Sequence, residues 1–473
     1  MISVNTTEHV EDLMITAIRE LEYEDLPDKV VEGAKDRIID VLGCLIRGWD
    51  APGNGALVDL VKRWGGREEA TILVYGERVP VANAAMVNSI IARSLDYESC
   101  LVFLGDRSVP SHITATTILT AMALSEALNL SGKEFITAVV AGDDLACRIL
   151  ASADYSISKP WDSTGTVNTF SATAVAGKML GLTARQFKYA LGIVLNQLGG
   201  TFQSIWEGTT SFKLMQGLAA HNGIFAAELA KAGWTGPNDL LFGPFGYYKL
   251  YTDGCTDAEI LTTGLGKNFY SEATFKSYPS CRGIHPAADC ILEIVSSHDV
   301  APEKVEQITV YLPRTDTFIS QPFKANEASQ ASTFFSLRYV MASALIRKSI
   351  KPEHFYEQSI RDETIDRFAQ KVHIKKLPEA DIGNLTDAEF KLARVAIKMQ
   401  SGEEFTASTT APKGEPRANP STRSDLGAKF LENTRDSGTM PEAAGPQLLA
   451  LLEQLETVRD LTELVALLRS SGK

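Results

Sequence analysis

Residues 206–223 read WEGTTSFKLMQGLAAHNG, and the fold is decided by how this stretch is understood. Glu207-Gly208-Thr209-Thr210 is a polar turn, and Thr209, Thr210 or Ser211 can each serve as a helix N-cap. From there Leu214, Leu218, Phe225 and Leu229 keep a helical period. The small residues Gly217, Ala219, Ala220 and Gly223 between them predict a helix packed closely on its neighbours. Lys213 falls in the first turn, where the macrodipole already places positive charge and a cation costs roughly 0.3–1 kcal/mol. A lysine beside free backbone N–H groups at a helix start makes an anion site. The plainer alternative is a lysine that points into water.

Working outward, the helical signal continues almost everywhere before residue 266. Residues 8–48 carry two apolar faces, Leu13, Ala17, Ile18 and Leu21, then Val30, Ala34, Ile38 and Leu42. Residues 55–64, 81–95, 132–151, 167–180 and 184–198 read the same way. Leu95-Asp96-Tyr97-Glu98 closes one apolar helix with polar groups, and residues 102–109 read as a loop leading to Ser111-His112. Ser111 as N-cap sets His112 at the first position of a helix over 113–127, where the dipole disfavours a protonated imidazole. A neutral imidazole is what a general base at neutral pH requires, although a surface histidine at a helix end is the competing reading. Asp162, Thr164 and Thr166 stand before the helix at 167–180.

Near 266 the composition changes. Lys276, Arg282 and His285 crowd into ten residues before a helix that begins around Pro286, a residue suited to the first helical position. Strands are first expected from 303 onward: 305–312, 372–377, and 393–409 as a hairpin turning at Ser401-Gly402. Helices at 332–347 and 363–371 lie between them. A Pro/Gly/Ser-rich loop at 410–424 leads to helices at 425–433, 443–455 and 459–469. The expected architecture is mainly α. A large helical domain, 1–268 plus 412–473, is interrupted by a smaller α+β domain over 269–411.

Totals bound the function. The 473 residues are 44% hydrophobic with a net charge of -13, an ordinary globular composition and a poor match for nucleic acid or an anionic membrane surface. No apolar run approaches the roughly 18 residues of a membrane span, and no signal peptide is read at the N-terminus, so the expected setting is the cytoplasm. Six scattered cysteines form no CxxC pair, and seven histidines form no HExxH, so reduced thiols and no metal site are expected. Four helix starts thus carry His112, Asp162 with Thr164, Lys213, and Arg282 with His285. Lys and Arg neutralise carboxylates, and a neutral His moves a proton at the carbon beside one. The kit suits a di- or tricarboxylate.

Several blocks, in order, resemble a known family. They are LDYES (95–99), SHITATTILTAMALSEAL (111–128), WDSTGTVNTFSATAVAGKMLGL (161–182), SFKLMQGLAAHNGIFAAELAKAGWTGP (211–237), FKSYPSCRGIHPAAD (275–289) and FFSLRYVMASAL (334–345). They are similar to the MmgE/PrpD family of 2-methylcitrate dehydratase, cis-aconitate decarboxylase and iminodisuccinate epimerase, over nearly the whole chain. The resemblance implies a helical domain with a small lid domain, a cleft between them, a homodimer, and no metal or organic cofactor. It also implies site roles. Asp96 would orient, His112 transfer a proton, Lys213 and Lys276 hold carboxylates, and Tyr339 assist the leaving group. Asp162, Thr164, Arg282 and His285 would contact substrate.

Four positions depart from the family pattern. Asp162 stands where the family commonly has a histidine, Ile113-Thr114 follow His112 in place of Pro-Ser, and Arg338 replaces a proline. A carboxylate at 162 donates no proton at neutral pH, which weighs against cis-aconitate decarboxylation. The leading expectation is therefore a cofactor-independent hydro-lyase acting on a citrate-like acid. The alternatives are an epimerase of an amino- or imino-dicarboxylate, in which Asp162 holds a cationic nitrogen, a decarboxylase of an aconitate-like acid, and a non-catalytic relative that binds an organic acid.

Overall fold

The computed structural model describes residues 10–104, 107–153, 155, 159–270, 272–383 and 388–469. It is mainly helical. The helix Leu214–Lys231 packs against Val81–Arg93 on one side and Val167–Met179 on the other. Its glycines set these distances. A Cβ on Gly217 would stand 2.3 Å from the carbonyl oxygen of Met86, and one on Gly223 would stand 2.5 Å from Cβ of Ala172. Of the periodic large residues, Leu214 is 41% and Phe225 45% exposed, while Leu218 and Leu229 are half-buried at the edge of the core. The buried face is made mainly of glycine and alanine, with Gln216 and Ile224 among them. Close backbone approach leaves no room for leucine there.

One hydrophobic core gathers the helices of residues 10–261 and also takes in Phe430, Leu448, Leu452, Leu455, Leu461, Leu464 and Leu468 from the C-terminal helices. A second core joins Cys44, Leu95, Ile205 and Phe212 to residues 284–407. Its centre is a four-stranded sheet ordered Val372–Lys376, Val305–Leu312, Ala393–Met399, Glu404–Thr409. The first pair is parallel and the other two antiparallel. The last two strands form the expected hairpin, with Gly402 at φ 88° in its turn. Helix His285–Ser297 packs on that hairpin and on helix Leu337–Arg347. The single helix expected over 332–347 is two, Gln330–Phe334 and Leu337–Arg347. Ser336 breaks them and caps the second by accepting from the backbone N–H of Tyr339.

Strands also occur well before residue 303. Ala70–Thr71 pairs with Arg78–Val79. Cys100–Leu104 pairs with Arg107–Val109 and, on its other edge, with Ala273–Thr274. The stretch expected as a loop over 102–109 is thus largely a hairpin; Gly105-Asp106 lie outside the described residues. The pairing of Cys100 with Thr274 lays the Lys276 segment beside Leu95–Ser99, which assembles the site.

Candidate active site

Helix Val81–Arg93 ends just before a reversal at Asp96, whose φ of 48° is left-handed, a region aspartate tolerates better than most residues. The reversal turns Asp96 and Glu98 inward. Arg93 Nη1 donates to Asp96 Oδ1 and lies 3.3 Å from Glu98 Oε1. Lys276 Nζ lies 2.7 Å from Asp96 Oδ1 and donates to the backbone oxygen of Asp96 at 2.8 Å. His112 Nδ1 lies 2.7 Å from Glu98 Oε1. Two cations, two carboxylates and one imidazole thus form one buried network. Arg93 also stacks over the ring of Phe212, 5.2 Å from its centroid.

The electrostatics follow from this packing. Burial raises the Glu98 carboxyl, but Arg93 and His112 outweigh it and bring it down to about 2. Burial likewise raises Asp96, while Lys276 and Arg93 hold it below the ordinary aspartate value. Burial and then Arg93 lower His112, against the opposing pull of Glu98, so the imidazole is neutral at pH 7. With a carboxylate facing Nδ1, that nitrogen carries the proton and Nε2 keeps its lone pair. His112 is the residue before helix Ile113–Leu128, one position earlier than a Ser111 cap requires. Asn168 Nδ2 and Gln216 Nε2 each donate to its backbone oxygen at 2.8 Å. Gln216 lies on helix Leu214–Lys231.

Arg93, Asp96 and His112 line a cavity of about 70 Å³ together with Asp162, Ser163 and Arg282. Arg282 sits opposite the cluster in sequence and chemistry. Its Nη1 donates to the Lys413 carbonyl at 2.8 Å and lies 3.3 Å from His285 Nδ1; its Nη2 donates to the Pro412 carbonyl at 3.3 Å. No carboxylate pairs with it among the described residues, and Nε is buried without a partner. His285 is fully buried, and its Nε2 lies 3.3 Å from the Ser280 carbonyl. Burial and Arg282 keep it neutral, so it serves as an acceptor that fixes Arg282 and does not itself line the cavity.

The other expected site residues are dispersed. Asp162 lines the cavity, and its Oδ1 accepts from the backbone N–H of Thr164 at 2.9 Å. Ser163 faces the cavity, whereas Thr164 is buried without lining it. Lys276 reaches the site through Asp96. Lys213 does not point into water: Nζ donates to the Pro52 carbonyl at 3.0 Å, Asn54 Oδ1 at 2.8 Å and Ser94 Oγ at 3.0 Å. It lines a different cavity, about 440 Å³, with Phe212 and Arg361. Burial alone pushes its ammonium down to about 7. Tyr339 is fully buried and lines neither cavity. Its hydroxyl donates to the His354 carbonyl, and its ring packs on Phe323 and Phe355.

Arg93, Glu98, Asn168 and Gln216 were not singled out from the sequence. Glu98 stood in the quoted LDYES block, and the buried polar residues on otherwise small, apolar helices were the available signal for the rest. The ligand atoms of Asp96, Glu98 and His112 lie within 4.8 Å of one another, a spacing open to a metal. Arg93 and Lys276 already contact those carboxylates, so the set reads as an ion-pair network around a histidine.

A mainly helical chain with a neutral histidine set in such a network defines a class, and family comparisons name it. The MmgE/PrpD N-terminal domain matches residues 14–258 and the MmgE/PrpD C-terminal domain matches residues 278–452. The chain belongs to the MmgE/PrpD family. It is 25% identical over 470 residues to cis-aconitate decarboxylase of Mus musculus, covering 96% of this chain and 92% of the relative. It is 23% identical to cis-aconitate decarboxylase of Aspergillus terreus (96% and 94% covered), and 22% identical to a cis-aconitate decarboxylase-like protein of Aspergillus oryzae (95% of each).

Proposed function

We propose that the chain is a cofactor-independent lyase that moves a proton at the carbon beside a carboxylate. The observation that carries this reading is the neutral His112, bound through Nδ1 to Glu98 and lining the cavity, with Arg282 free of any acid partner among the described residues. Arg282 holds the substrate carboxylate, and His112 Nε2 takes the neighbouring C–H proton. The C–H electron pair becomes the new C=C bond as the β C–O bond breaks. The hydroxyl leaves as water with the proton that the imidazolium returns. Glu98 stabilises that imidazolium, while Asp96, Arg93 and Lys276 hold Glu98 and the turn in place. Lys213 and Tyr339 take no step in this scheme.

Decarboxylation is the second reading, and the cis-aconitate decarboxylases among the relatives favour it. It needs a proton donor after CO2 leaves, which His112 supplies only once protonated. The two are separated by proton NMR of product: loss of water with CO2 retained supports the hydro-lyase, and release of CO2 from the acid supports the decarboxylase.

Self-association is part of the same proposal. Trp206, Leu214 and Phe225 are exposed large apolar side chains, the last two on one helix, which supports a homodimer. A sedimenting mass of one chain would contradict it. Among the described residues no helix is long and apolar enough to cross a membrane.

A further inference from the structure

The cavity's charges are almost all committed. Arg93 and Lys276 serve Asp96 and Glu98. Asp96 Oδ2 and Glu98 Oε2 are buried without hydrogen-bond partners, and Asp162 adds a third carboxylate to the lining region. Only Arg282, among the described lining residues, offers positive charge without an acid partner. Most of the remaining lining is apolar, led by Phe202, Phe318, Phe335 and Phe390, beside the hydroxyl-bearing Ser111, Ser163 and Tyr155. Phe202 and Phe318 stack with centroids 6.4 Å apart and planes 18° apart, and Phe335 meets Phe318 edge-on at 5.7 Å.

We propose that this cavity selects a carboxylic acid with one carboxylate at Arg282 and an apolar alkyl or aryl arm on the phenylalanine wall, in place of a di- or tricarboxylate. The inference rests on the lyase reading for its site and sharpens its substrate class. Among the described lining residues, a second carboxylate meets no cation that lacks an acid partner. It lies instead against aromatic faces or beside Asp96 and Asp162, where its charge is desolvated and repelled. An alkyl or phenyl arm removes apolar surface from water on both sides of the contact, in a pocket whose shape is fixed by packed rings.

The test measures binding, which needs no turnover. Full-length protein is titrated by calorimetry with trans-2-hexenoate, cinnamate, cis-aconitate and citrate at fixed pH and ionic strength, beside Phe318→Ala and Arg282→Gln. At least one monocarboxylate is expected to bind tenfold or more tighter than either tricarboxylate. Phe318→Ala should weaken hexenoate or cinnamate by about tenfold and leave the tricarboxylates within twofold. Arg282→Gln should weaken the preferred acid by tenfold or more, with its melting temperature as the folding control. Equal or tighter binding of aconitate or citrate, no response to Phe318→Ala, or no binding of any monocarboxylate would each overturn the proposal. Turnover of a tricarboxylate alongside such a result would refute the substrate class and leave the lyase reading standing.

Discussion

Replacing Glu98 by glutamine tests the histidine network at its most informative contact. The substitution keeps shape and keeps an oxygen to accept from His112 Nδ1, now at 2.7 Å from Glu98 Oε1, but removes the charge. For charge centres about 4 Å apart at an effective dielectric near 20, the Glu98–imidazolium attraction is about 4 kcal/mol. The amide dipole retains part of it, so the loss in the transition state is about 2–3 kcal/mol, or about 30–150-fold in kcat. Glu98 pulls the His112 titration upward, so its removal lowers that titration further. The acidic limb of kcat/KM, which falls as the base becomes protonated, must therefore move to lower pH. The assay is proton exchange and turnover of a responsive acid across pH 4–8, with NMR of ring-labelled histidine as a readout independent of activity. A rate within twofold of the parent, with both titrations unmoved or moved upward, would refute the dyad. The same substitution has a stability signature. The Glu98 carboxyl is depressed from 4.5 to about 2, so its contribution is present above pH 4.5 and lost as pH falls through 2. It is on the order of 3 kcal/mol, and Glu98→Gln should flatten the loss of stability over that window.

Three further outcomes are expected. Lys276→Met leaves Asp96 short of a cation and should destabilise the chain by about 3–5 kcal/mol in urea titration at pH 7; a loss below 1 kcal/mol would show that Arg93 alone suffices. Lys213 is held near 7 against 10.5 in the open chain, so the protonated form is disfavoured by folding and stability should rise as pH climbs from 7 to 10. That rise should be smaller in Lys213→Met, and identical slopes would contradict the buried, unpaired amine. Gly217→Ala should destabilise by about 1–3 kcal/mol although alanine favours helix by about 1 kcal/mol, because the new Cβ meets the Met86 carbonyl. A raised melting temperature would mean that the helices separate easily.

Much of this was legible in the chain. The strand positions from 305 onward followed from alternation and a Ser-Gly turn, and the main helices from their period. The buried face of helix Leu214–Lys231 was not, because periodicity identifies two faces without saying which is inside. Close packing chose the glycine face over the leucine face. The strand Cys100–Leu104 was missed because its hairpin partner, Arg107–Val109, is three residues long and its other partner, Ala273–Thr274, is two residues long and about 170 residues away. At the site, residue types at helix starts singled out His112 and Arg282, which line one cavity. They could not show that Lys213 opens on another cavity, that Tyr339 is consumed by a backbone carbonyl, or that Arg93 cancels charge on Asp96 and Glu98. Those outcomes depend on which side chains meet across the fold, and a one-dimensional pattern does not carry them.

The central claim is that His112 moves a proton at the carbon beside a carboxylate. Proton NMR in deuterated water tests it most directly, with the full chain and His112→Gln incubated with hydroxy, unsaturated and amino acids bearing one to three carboxylates. The account predicts exchange of that hydrogen, with loss of water from at least one acid, and abolition of both by His112→Gln in a folded protein. Exchange that persists undiminished in His112→Gln, or no exchange on any acid that binds, would contradict it.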